Sequence, residues 1–337
     1  MRKSVLFAVL ALAAVLAAGL VLLRSERSAS AQGLTLDRSQ LALLPPDATS
    51  LLGVDIEGLK GTPLYRHIEE ESRKNGRSHF DDFARETGFD PRRDVESLLA
   101  ASWGGVGDGQ FLAVARGRFN VSALSGQIRT HQAIAETYRG FEVFGPEKQQ
   151  DGRQQGRFVF LDDRTALIGA RPALLAAIDR KLGGGPSLLN NTDLLSRAHT
   201  ISGSHQVWAV SDNPGLLVPK ALPRDSSEAS SFARIFSSMQ NSTFALDLRN
   251  GLDVRAASIC KTPQDAKTLA DAARGVVAFG RLAVSQKEPE MMTLFDGVQV
   301  EERNTALDIT IRVDTQSFEK LLQRGRLRQG RKSAQVE

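Results

Sequence analysis

Short apolar runs separated by polar and glycine-rich segments fill most of the chain, and their spacing predicts both strands and helices. Apolar residues at every second position indicate half-buried strands. The clearest case is Thr305–Val313, where Leu307, Ile309 and Ile311 alternate with other residues. This signal, with continuous apolar runs bounded by turn residues, predicts strands at residues 50–57, 111–115, 141–144, 157–161, 166–169, 206–210, 242–248, 252–260, 297–302 and 305–313.

Capping residues mark the predicted helix starts. Thr62-Pro63 and Thr262-Pro263 each place a threonine at the cap and a proline at the first helical position. Asp90-Pro91, Asn120 and Thr315 are similar start signals. Apolar spacings of three and four residues after these signals predict helices at 62–74, 79–86, 90–99, 120–134, 172–182, 262–277 and 315–322.

The order of these elements repeats along the chain. Residues 110–182 and 252–323 are each interpreted as one βαββα module. The fold class that follows is α+β: a long, mostly antiparallel, curved sheet with helices on one face, built from two related modules. The remaining divisions are 1–31 as an export segment, 32–109 as a strand plus a helical segment, 110–251 as the first module with its connections, and 324–337 as a basic disordered tail.

The first 31 residues have the order of an export signal. Met1-Arg2-Lys3 is basic, Val5–Leu23 is apolar, and Ala29-Ser30-Ala31 offers a small-x-small cleavage site. The apolar segment has nineteen residues, which is closer to the about 17–25 of a membrane-spanning helix than to the about 7–15 of a signal peptide. Cleavage after Ala31 and a retained membrane anchor therefore both stay open, and in either case the protein is expected to be periplasmic or secreted.

The positive charge of the chain is concentrated at its ends. The formal net charge is +4, but basic residues cluster before Ala31 and in the tail Arg324–Lys332, so the body between them is slightly acidic. A nucleic-acid partner would require a basic face on the body, and none is predicted. Val5–Leu23 and the basic tail are the two segments with potential membrane contact.

Few residues offer catalytic or metal chemistry. Cys260 is the single cysteine and is predicted to be a small buried hydrophobe in a strand. His199 and His205 flank a predicted loop, and their spacing matches no helical zinc motif. His67 and Glu71 are four residues apart on a polar helix face, where a solvated pair is favoured over a metal site. His79 and His131 stand alone. No catalytic, cofactor-binding or metal-ligating residue is therefore assigned, and the protein is not predicted to be an enzyme.

Two further patterns have conformational interpretations. The glycine run Trp103–Gly109 follows a predicted helix, precedes a strand and lacks a lysine, so a turn is favoured over a phosphate cradle. Acidic pairs such as Asp55/Glu57, Asp81/Asp82 and Asp162/Asp163 lie on expected solvent faces or turns. The chain also lacks the Gly-x-Ser-x-Gly, Ser-x-x-Lys and His-Glu-x-x-His signatures of common hydrolases.

A set of short segments resembles a group of uncharacterised exported bacterial proteins. The segments are Leu44-Pro45-Pro46-Asp47, Thr62-Pro63-Leu64-Tyr65, Thr87-Gly88-Phe89-Asp90-Pro91 and Asp94-Val95, within about residues 44–180. The group is a domain of unknown function. The resemblance implies an exported α+β protein from a bacterium and no site residues.

Three functions remain open on the sequence alone. The first is a non-catalytic exported protein with a binding or structural role, whose partner is an envelope protein or a lipid. The second is a periplasmic carrier of lipid or another apolar ligand, because a curved sheet with helices on one face can enclose an apolar groove. The third is a hydrolase without a known motif, which would need a cleft that brings a histidine against a serine or an aspartate.

Overall fold

The computed structural model describes residues 36–67, 84–85, 88–104, 110–130, 134–145, 156–212, 237–284 and 289–322. Several sequence predictions lie outside these ranges: Val5–Leu23 with Ala29–Ala31, the helix end near residue 74, the helix at 79–86, residues 105–109, the loop at 226–231, the tail Arg324–Lys332, and the side chains of Glu71, His79, Asp81, Asp82 and His131. No helix in the described ranges has the length and apolar character needed to cross a membrane.

Twelve strands form one open antiparallel sheet. They are β1 (Ser50–Asp55), β2 (Val95–Trp103), β3 (Gln110–Gly117), β4 (Ile134–Tyr138), β5 (Phe141–Gly145), β6 (Arg157–Asp162), β7 (Thr165–Gly169), β8 (Val207–Ser211), β9 (Met239–Asp247), β10 (Leu252–Cys260), β11 (Val298–Arg303) and β12 (Ala306–Val313). Their order across the sheet is β11-β12-β10-β9-β8-β1-β2-β3-β7-β6-β5-β4. The predicted α+β class with a long antiparallel sheet is confirmed.

Two halves with matching strand order meet in the middle of this sheet. Strands β1 and β8 pair antiparallel there, with Leu51 opposite Val210 and Leu52 opposite Ala209. Outward from this pair the order is β1-β2-β3-β7-β6 on one side and β8-β9-β10-β12-β11 on the other. Each half begins with a three-strand antiparallel meander. A two-strand hairpin follows, and the second strand of that hairpin pairs with the third strand of the meander. The corresponding units therefore begin two strands before each predicted βαββα module, and the first half carries an additional β5-β4 hairpin.

The helices between the strands are short, with one exception. They are α1 (Arg38–Leu41), α2 (Ile56–Lys60), α3 (Pro91–Asp94), α4 (Val121–Thr130), α5 (Arg171–Lys181), α6 (Thr192–Ser202), α7 (Pro263–Ala283) and α8 (Pro289–Asp296), with a 3-10 turn at Leu188–Asn190 and helical residues at 63–67 and 315–322. The Thr262 hydroxyl caps α7 by accepting from the Asp265 N–H, and Pro263 is the first helical residue, as predicted.

Helices pack on both faces of the sheet, which differs from the predicted single face. We call the face with Leu51 and Trp208 the back face, and the face with Leu52 and Val54 the front face. The back-face core includes side chains of α5 and α6, and the front-face core includes side chains of α4 and of helix 315–322. Both faces of the central strands need to be covered by other elements, because runs such as Leu98–Ala101 are apolar at successive positions rather than at alternate ones.

The helix predicted at 90–99 is wrong over most of its length. Only Pro91–Asp94 are helical, and Val95–Trp103 form strand β2. The apolar run was short enough to suit either element, and its pairing with β1 on one side and β3 on the other decides in favour of the strand. The glycine run therefore follows a strand, and Gly104 has a positive φ of 92°.

Two element ends also differ from the prediction. Strand β1 stops at Asp55, whose carboxylate caps α2 by accepting from the Gly58 N–H at 2.9 Å, so Ile56 is helical. Helix α4 ends at Thr130, and Ile134 begins strand β4, where it pairs with Gly145. In both places a cap or a strand partner outweighs the local spacing of apolar residues.

Replacing Gly53 with alanine is expected to destabilise the junction of the two halves. Gly53 lies in β1 opposite Trp208 of β8, and an added Cβ would overlap the fully buried indole ring. Overpacking of this kind costs about 1–3 kcal/mol of unfolding free energy, measurable by urea unfolding. Gly126→Ala in α4 is the control, because nothing lies within 4 Å of an added Cβ there and alanine favours the helix. Equal unfolding free energies for Gly53→Ala and the wild type would contradict the role of this contact.

Candidate functional site

The strand register aligns apolar side chains in rows across the front face. One row, which we call the apolar row, takes one residue from each of seven neighbouring strands: Val300, Ile309, Ala256, Phe244, Ala209, Leu52 and Ala100. The next row, two residues along each strand, is equally apolar: Val298, Ile311, Val254, Leu246, Val207, Val54 and Leu98. Together they form an uncharged surface that crosses both halves of the sheet.

The apolar row is incompletely covered by the helices. Phe244 at its centre is 36% exposed, and the other six side chains are all partly exposed. In the next row, Val54 and Leu98 are fully buried, whereas the five residues from β11 to β8 are again partly exposed. Val300 and Ile309 pack against residues of the helix 263–283, and Leu246 and Val207 pack against the front-face core, but each stays partly exposed. We call this incompletely covered stretch from β11 to β8 the open front face.

The back face of the same outer strands is polar. Strand β12 places Asp308, Thr310 and Arg312 there, opposite Arg255 and Asp253 of β10. This alternation is typical of an antiparallel sheet with one solvated face and one face that requires a cover. The open front face is therefore the side on which apolar burial is incomplete.

Helix α7 stands beside the open front face with an exposed apolar side. Its sheet-facing residues Ala266 and Ala270 are fully buried. Farther along the helix, Val276, Phe279 and Leu282 are 70%, 73% and 86% exposed. Exposure of three large apolar side chains on one helix is unusual for a surface without a partner.

Arg274 fixes the orientation of α7 relative to the sheet. It donates to the Glu302 carboxylate at 2.8 Å and to the Val300 carbonyl at 3.2 Å, both on the edge strand β11. At about 100° per residue, Val276 and Phe279 lie on the opposite side of the helix from Arg274. Ala270 and Arg274 are four residues apart and both face the sheet, so the exposed apolar side of α7 that carries Val276 and Phe279 points away from the sheet.

A row of hydroxyl groups borders the apolar row. Five serines lie directly opposite one another on five adjacent strands: Ser258, Ser242, Ser211, Ser50 and Ser102. We call this set the serine row. The Ser50 and Ser211 hydroxyls bond to each other at 2.7 Å, and the Ser258 hydroxyl lies 3.4 Å from the Met239 Sδ.

Ser242, in the middle of the serine row, lacks a side-chain hydrogen bond. It is 9% exposed, and no described residue bonds to its hydroxyl. The hydroxyl oxygen is not among the buried polar atoms that lack a partner, so it can bond to solvent.

Among the described residues one serine–histidine pair is hydrogen-bonded, and its geometry does not suit a nucleophile and its base. The Ser204 hydroxyl lies 2.8 Å from the His205 Nδ1. That nitrogen is also 3.0 Å from the Ile201 carbonyl, which can only accept, so Nδ1 carries a proton and donates it. A protonated Nδ1 cannot accept the Ser204 proton, and both side chains close the end of α6 instead.

The residues between the two candidate metal-binding histidines are mostly helical, and the predicted loop there is wrong. His199 lies within α6, which extends to Ser202, and it is exposed, while His205 is buried. His67 is described, but Glu71 is not. Within the described ranges no three metal-ligating side chains cluster.

A group of charges lies at the other end of the central strands. Lys60 is buried and donates to the Glu57 carboxylate at 2.7 Å and to the Arg93 carbonyl at 3.1 Å. Asp247 accepts from the Arg249 side chain at 3.0 Å and from the Gln206 amide at 3.2 Å. These charged groups therefore bond to one another and to neighbouring backbone, and the contacts stabilise the strand ends.

Asp55 is the carboxyl group of this cluster with a raised pKa. Burial is the main cause, and the neighbouring Glu57 carboxylate adds to it, while the Gly58 N–H and the cations Arg249 and Lys60 oppose it. The pKa of Asp247 is lowered instead: burial works to raise it, but the hydrogen bonds from Arg249 outweigh burial.

Cys260 is buried at the end of β10, as predicted. It packs with Ala266, Leu269 and Ala270 of α7 and with Leu307 of β12. Burial raises the pKa of its thiol, and the Asp265 carboxylate adds to the shift. Both effects favour the unreactive thiol over the nucleophilic thiolate.

The sequence analysis identified ten of the twelve strands of the sheet, missing β2 and β4, and it identified none of these rows. Each strand contributes only one or two apolar residues to the open surface, and the rows exist only once six strand pairings have brought these residues into register. The one signal in the sequence is the alternation in 252–260 and 305–313, which predicts an apolar face without showing whether helices cover it.

Comparisons with known proteins give a likeness of fold alone. No known protein family matches the chain, and no curated protein matches it. Among solved structures, crystal form III of TP0453 has a TM-score of 0.51 at 11% identity, covering 84% of this chain and 97% of that one. Crystal forms I and IV give TM-scores of 0.45 and 0.46 at 9% and 11% identity, covering 86% and 84% of this chain and 97% and 95% of theirs. The resemblance of residues 44–180 to exported bacterial proteins stays a prediction.

Replacing Asp55 with asparagine is expected to stabilise the protein at neutral pH and to lose this benefit in acid. The raised pKa means that wild-type stability falls as pH rises from the ordinary carboxyl range through the folded-state value. Asparagine keeps an oxygen for the Gly58 N–H and carries no charge. Urea unfolding at several pH values measures the difference between the two proteins.

Asp247→Asn is the matched control with the opposite sign. Since the pKa of Asp247 is lowered in the folded protein, its carboxylate stabilises the fold above the ordinary carboxyl pKa, and this contribution is lost as pH falls through the folded-state value. The variant should therefore be less stable at neutral pH and approach the wild type in acid. Parallel pH profiles for Asp55→Asn and Asp247→Asn would contradict both assignments.

The Cys260 thiol is expected to react slowly in the folded protein. Because the thiol is buried and its pKa is raised, its reaction with an aromatic disulfide reagent at pH 7 should be at least about tenfold slower than that of the unfolded chain, limited by local opening. Absorbance of the released thiolate, with and without denaturant, measures this ratio. Equal rates would place the thiol at an accessible surface.

Proposed function

We propose that the protein is a non-catalytic, exported binding protein that holds a lipid or another apolar ligand on the open front face of its sheet. The observation that carries this proposal is the apolar row, in which seven strands present uncharged, partly exposed side chains centred on Phe244. Ligand sites are predominantly apolar with a few placed polar groups. The two apolar rows and the serine row provide that composition.

The dimensions of the face favour a long, narrow ligand. Neighbouring strands are about 4.8 Å apart, so the seven-strand row extends for roughly 29 Å. The hydrocarbon core of a bilayer is about 30 Å thick, so one acyl chain spans about half of this row. A single extended chain or two chains end to end would fit along it.

Small side chains make room for such a ligand. The short side chains of Ala256, Ala209 and Ala100 leave space above the sheet on both sides of Phe244.

An exported location agrees with this function. The order of basic, apolar and small residues in 1–31 supports export to the periplasm or secretion, with cleavage after Ala31 and retention of Val5–Leu23 as an anchor as the two alternatives. The envelope supplies lipid ligands. An apolar segment of an envelope protein is the competing occupant of the same face, and binding of a small apolar probe separates the two.

Binding of diphenylhexatriene, a headless hydrocarbon that fluoresces in apolar surroundings, tests the proposal on the full-length protein. We expect saturable binding that Ala256→Gln weakens at least about tenfold, because the ligand would leave a polar amide without its hydrogen bonds. Ala257→Gln is the matched control: Ala257 is the next residue of β10 and faces the back of the sheet, opposite Asp308. It should bind as the wild type does.

Circular dichroism and urea unfolding establish that both variants fold. Equal loss of binding in the two variants would contradict the assignment of the ligand to the front face. Absence of saturable binding to the wild type would contradict the proposed function itself.

A further inference from the structure

We infer that helix α7 is an interaction surface on which a second copy of this chain docks, through its own α7 and in antiparallel orientation. The surface is the side of α7 that points away from the sheet, so the inference does not depend on the proposed function. It accounts for the exposure of Val276, Phe279 and Leu282, which are 70%, 73% and 86% exposed.

The exposed side of α7 has the residue spacing of a coiled-coil seam. Thr268, Ala272, Gly275, Phe279 and Leu282 are all exposed, and they follow one another at intervals of four, three, four and three residues. At about 100° per residue, these five positions lie within about 80° of one another around the helix. We call them the α7 seam. A narrow, uncharged seam with this spacing is typical of a helix that packs lengthwise against one other helix.

The sizes of the seam residues favour an identical helix as the partner. The small Ala272 and Gly275 precede the large Phe279 and Leu282, and nothing lies within 4 Å of a Cβ added to Gly275. When two copies of α7 pair antiparallel about Val277, Phe279 of one copy lies opposite Gly275 of the other, and Leu282 lies opposite Ala272. Each large side chain then fills the space beside a small one, as a knob fills a hole.

A parallel pair of the same helices would lack this fit. Identical residues would face each other, so that Gly275 against Gly275 would leave a gap. The Asp271 carboxylates, which are half exposed beside the seam, would also lie side by side and repel each other. In the antiparallel pair they are about 18 Å apart along the helix axis, which is well beyond the screening length of about 8 Å at physiological ionic strength.

The borders of the seam do not suit a lipid bilayer. A helix that lies in a membrane interface has a broad apolar face bordered by basic residues. Here Lys267, at the border, is within 3.4 Å of the acidic Asp271, and the seam itself includes a threonine and a glycine. A protein helix that fits between the large and small residues is therefore the favoured occupant.

The area of the surface predicts a weak dimer. A large apolar side chain buries on the order of 150 Å². The three exposed side chains of α7 therefore supply roughly half of the about 800 Å² that each partner contributes to a standard interface. Monomer and dimer are expected to coexist at micromolar concentrations.

Sedimentation equilibrium of the full-length protein, purified without detergent, measures this association. The apparent mass should rise from that of the monomer towards twice that value between about 1 and 300 μM. Phe279→Asp should weaken the dimer at least about tenfold, because pairing would bury a carboxylate without a partner. Leu182→Asp is the matched control, since Leu182 is 53% exposed at the end of α5 and lies outside the seam. It should associate as the wild type does.

Disulfide cross-linking tests the antiparallel register. The double variant Ala272→Cys/Leu282→Cys should form a disulfide-linked dimer on mild oxidation, seen on a non-reducing gel. The two positions are about 15 Å apart within one helix, which is too far for a bond inside one chain. Neither single variant should cross-link, because equal positions of the two copies are equally far apart in the antiparallel pair. Both replaced residues are exposed, and the native Cys260 is buried.

Three results would overturn the inference. One is a wild type that stays monomeric at the highest concentration, whether or not it binds lipid vesicles through Phe279. Another is equal association of Phe279→Asp and Leu182→Asp. The third is a single-cysteine variant that cross-links as readily as the double variant, which would indicate parallel or random contact. None of these results bears on the binding of diphenylhexatriene to the front face, so the proposed function is tested separately.

Discussion

The pairing of β1 with β8 is the contact on which the rest of the structure depends. Trp208 of β8 lies over Gly53 of β1 in the back-face core, where only a residue without a side chain leaves room for the indole. The same pair of strands joins the two halves of the sheet. Because the apolar row passes from Ala209 to Leu52 at this junction, the front face is continuous only while the junction holds.

The two halves of the sheet differ in how completely their apolar side chains are buried. Around β1, β2 and β3, both faces are apolar and both carry helices, so burial is nearly complete. Around β9, β10, β11 and β12, the back face is polar and the front face is covered mainly by α7 and helix 315–322. Partly exposed apolar side chains remain there, and α7 adds exposed apolar side chains of its own. The proposed site for an apolar ligand accounts for the first feature, whereas the exposed side chains of α7 point away from the front face.

The local sequence pattern was sufficient to predict most helices and strands, because capping residues and the alternation of apolar residues act over only a few positions. Thr262-Pro263 correctly marked the start of α7, and the alternation in 305–313 correctly marked β12. Val95–Trp103 was misassigned because a short apolar run suits a helix or a strand until its neighbours are known. The cap by Asp55 and the strand at Ile134 were missed for a related reason: a tertiary contact decided each one.

The candidate site itself could not be predicted from the sequence. Ala256, Phe244 and Leu52 are far apart along the chain, and only the strand register brings them into one row. The serines are equally inconspicuous, since a lone serine in a strand carries no signal.

The most direct test of the central claim is native mass spectrometry of the full-length protein purified from a bacterial envelope fraction. The account leads us to expect a mass above that of the polypeptide, with a lipid released on activation in the gas phase. The same spectrum shows whether the chain begins at Met1 or at Gln32. A protein that carries only its polypeptide mass, after purification without detergent and in the presence of envelope lipid, would contradict the claim that the open front face holds a lipid.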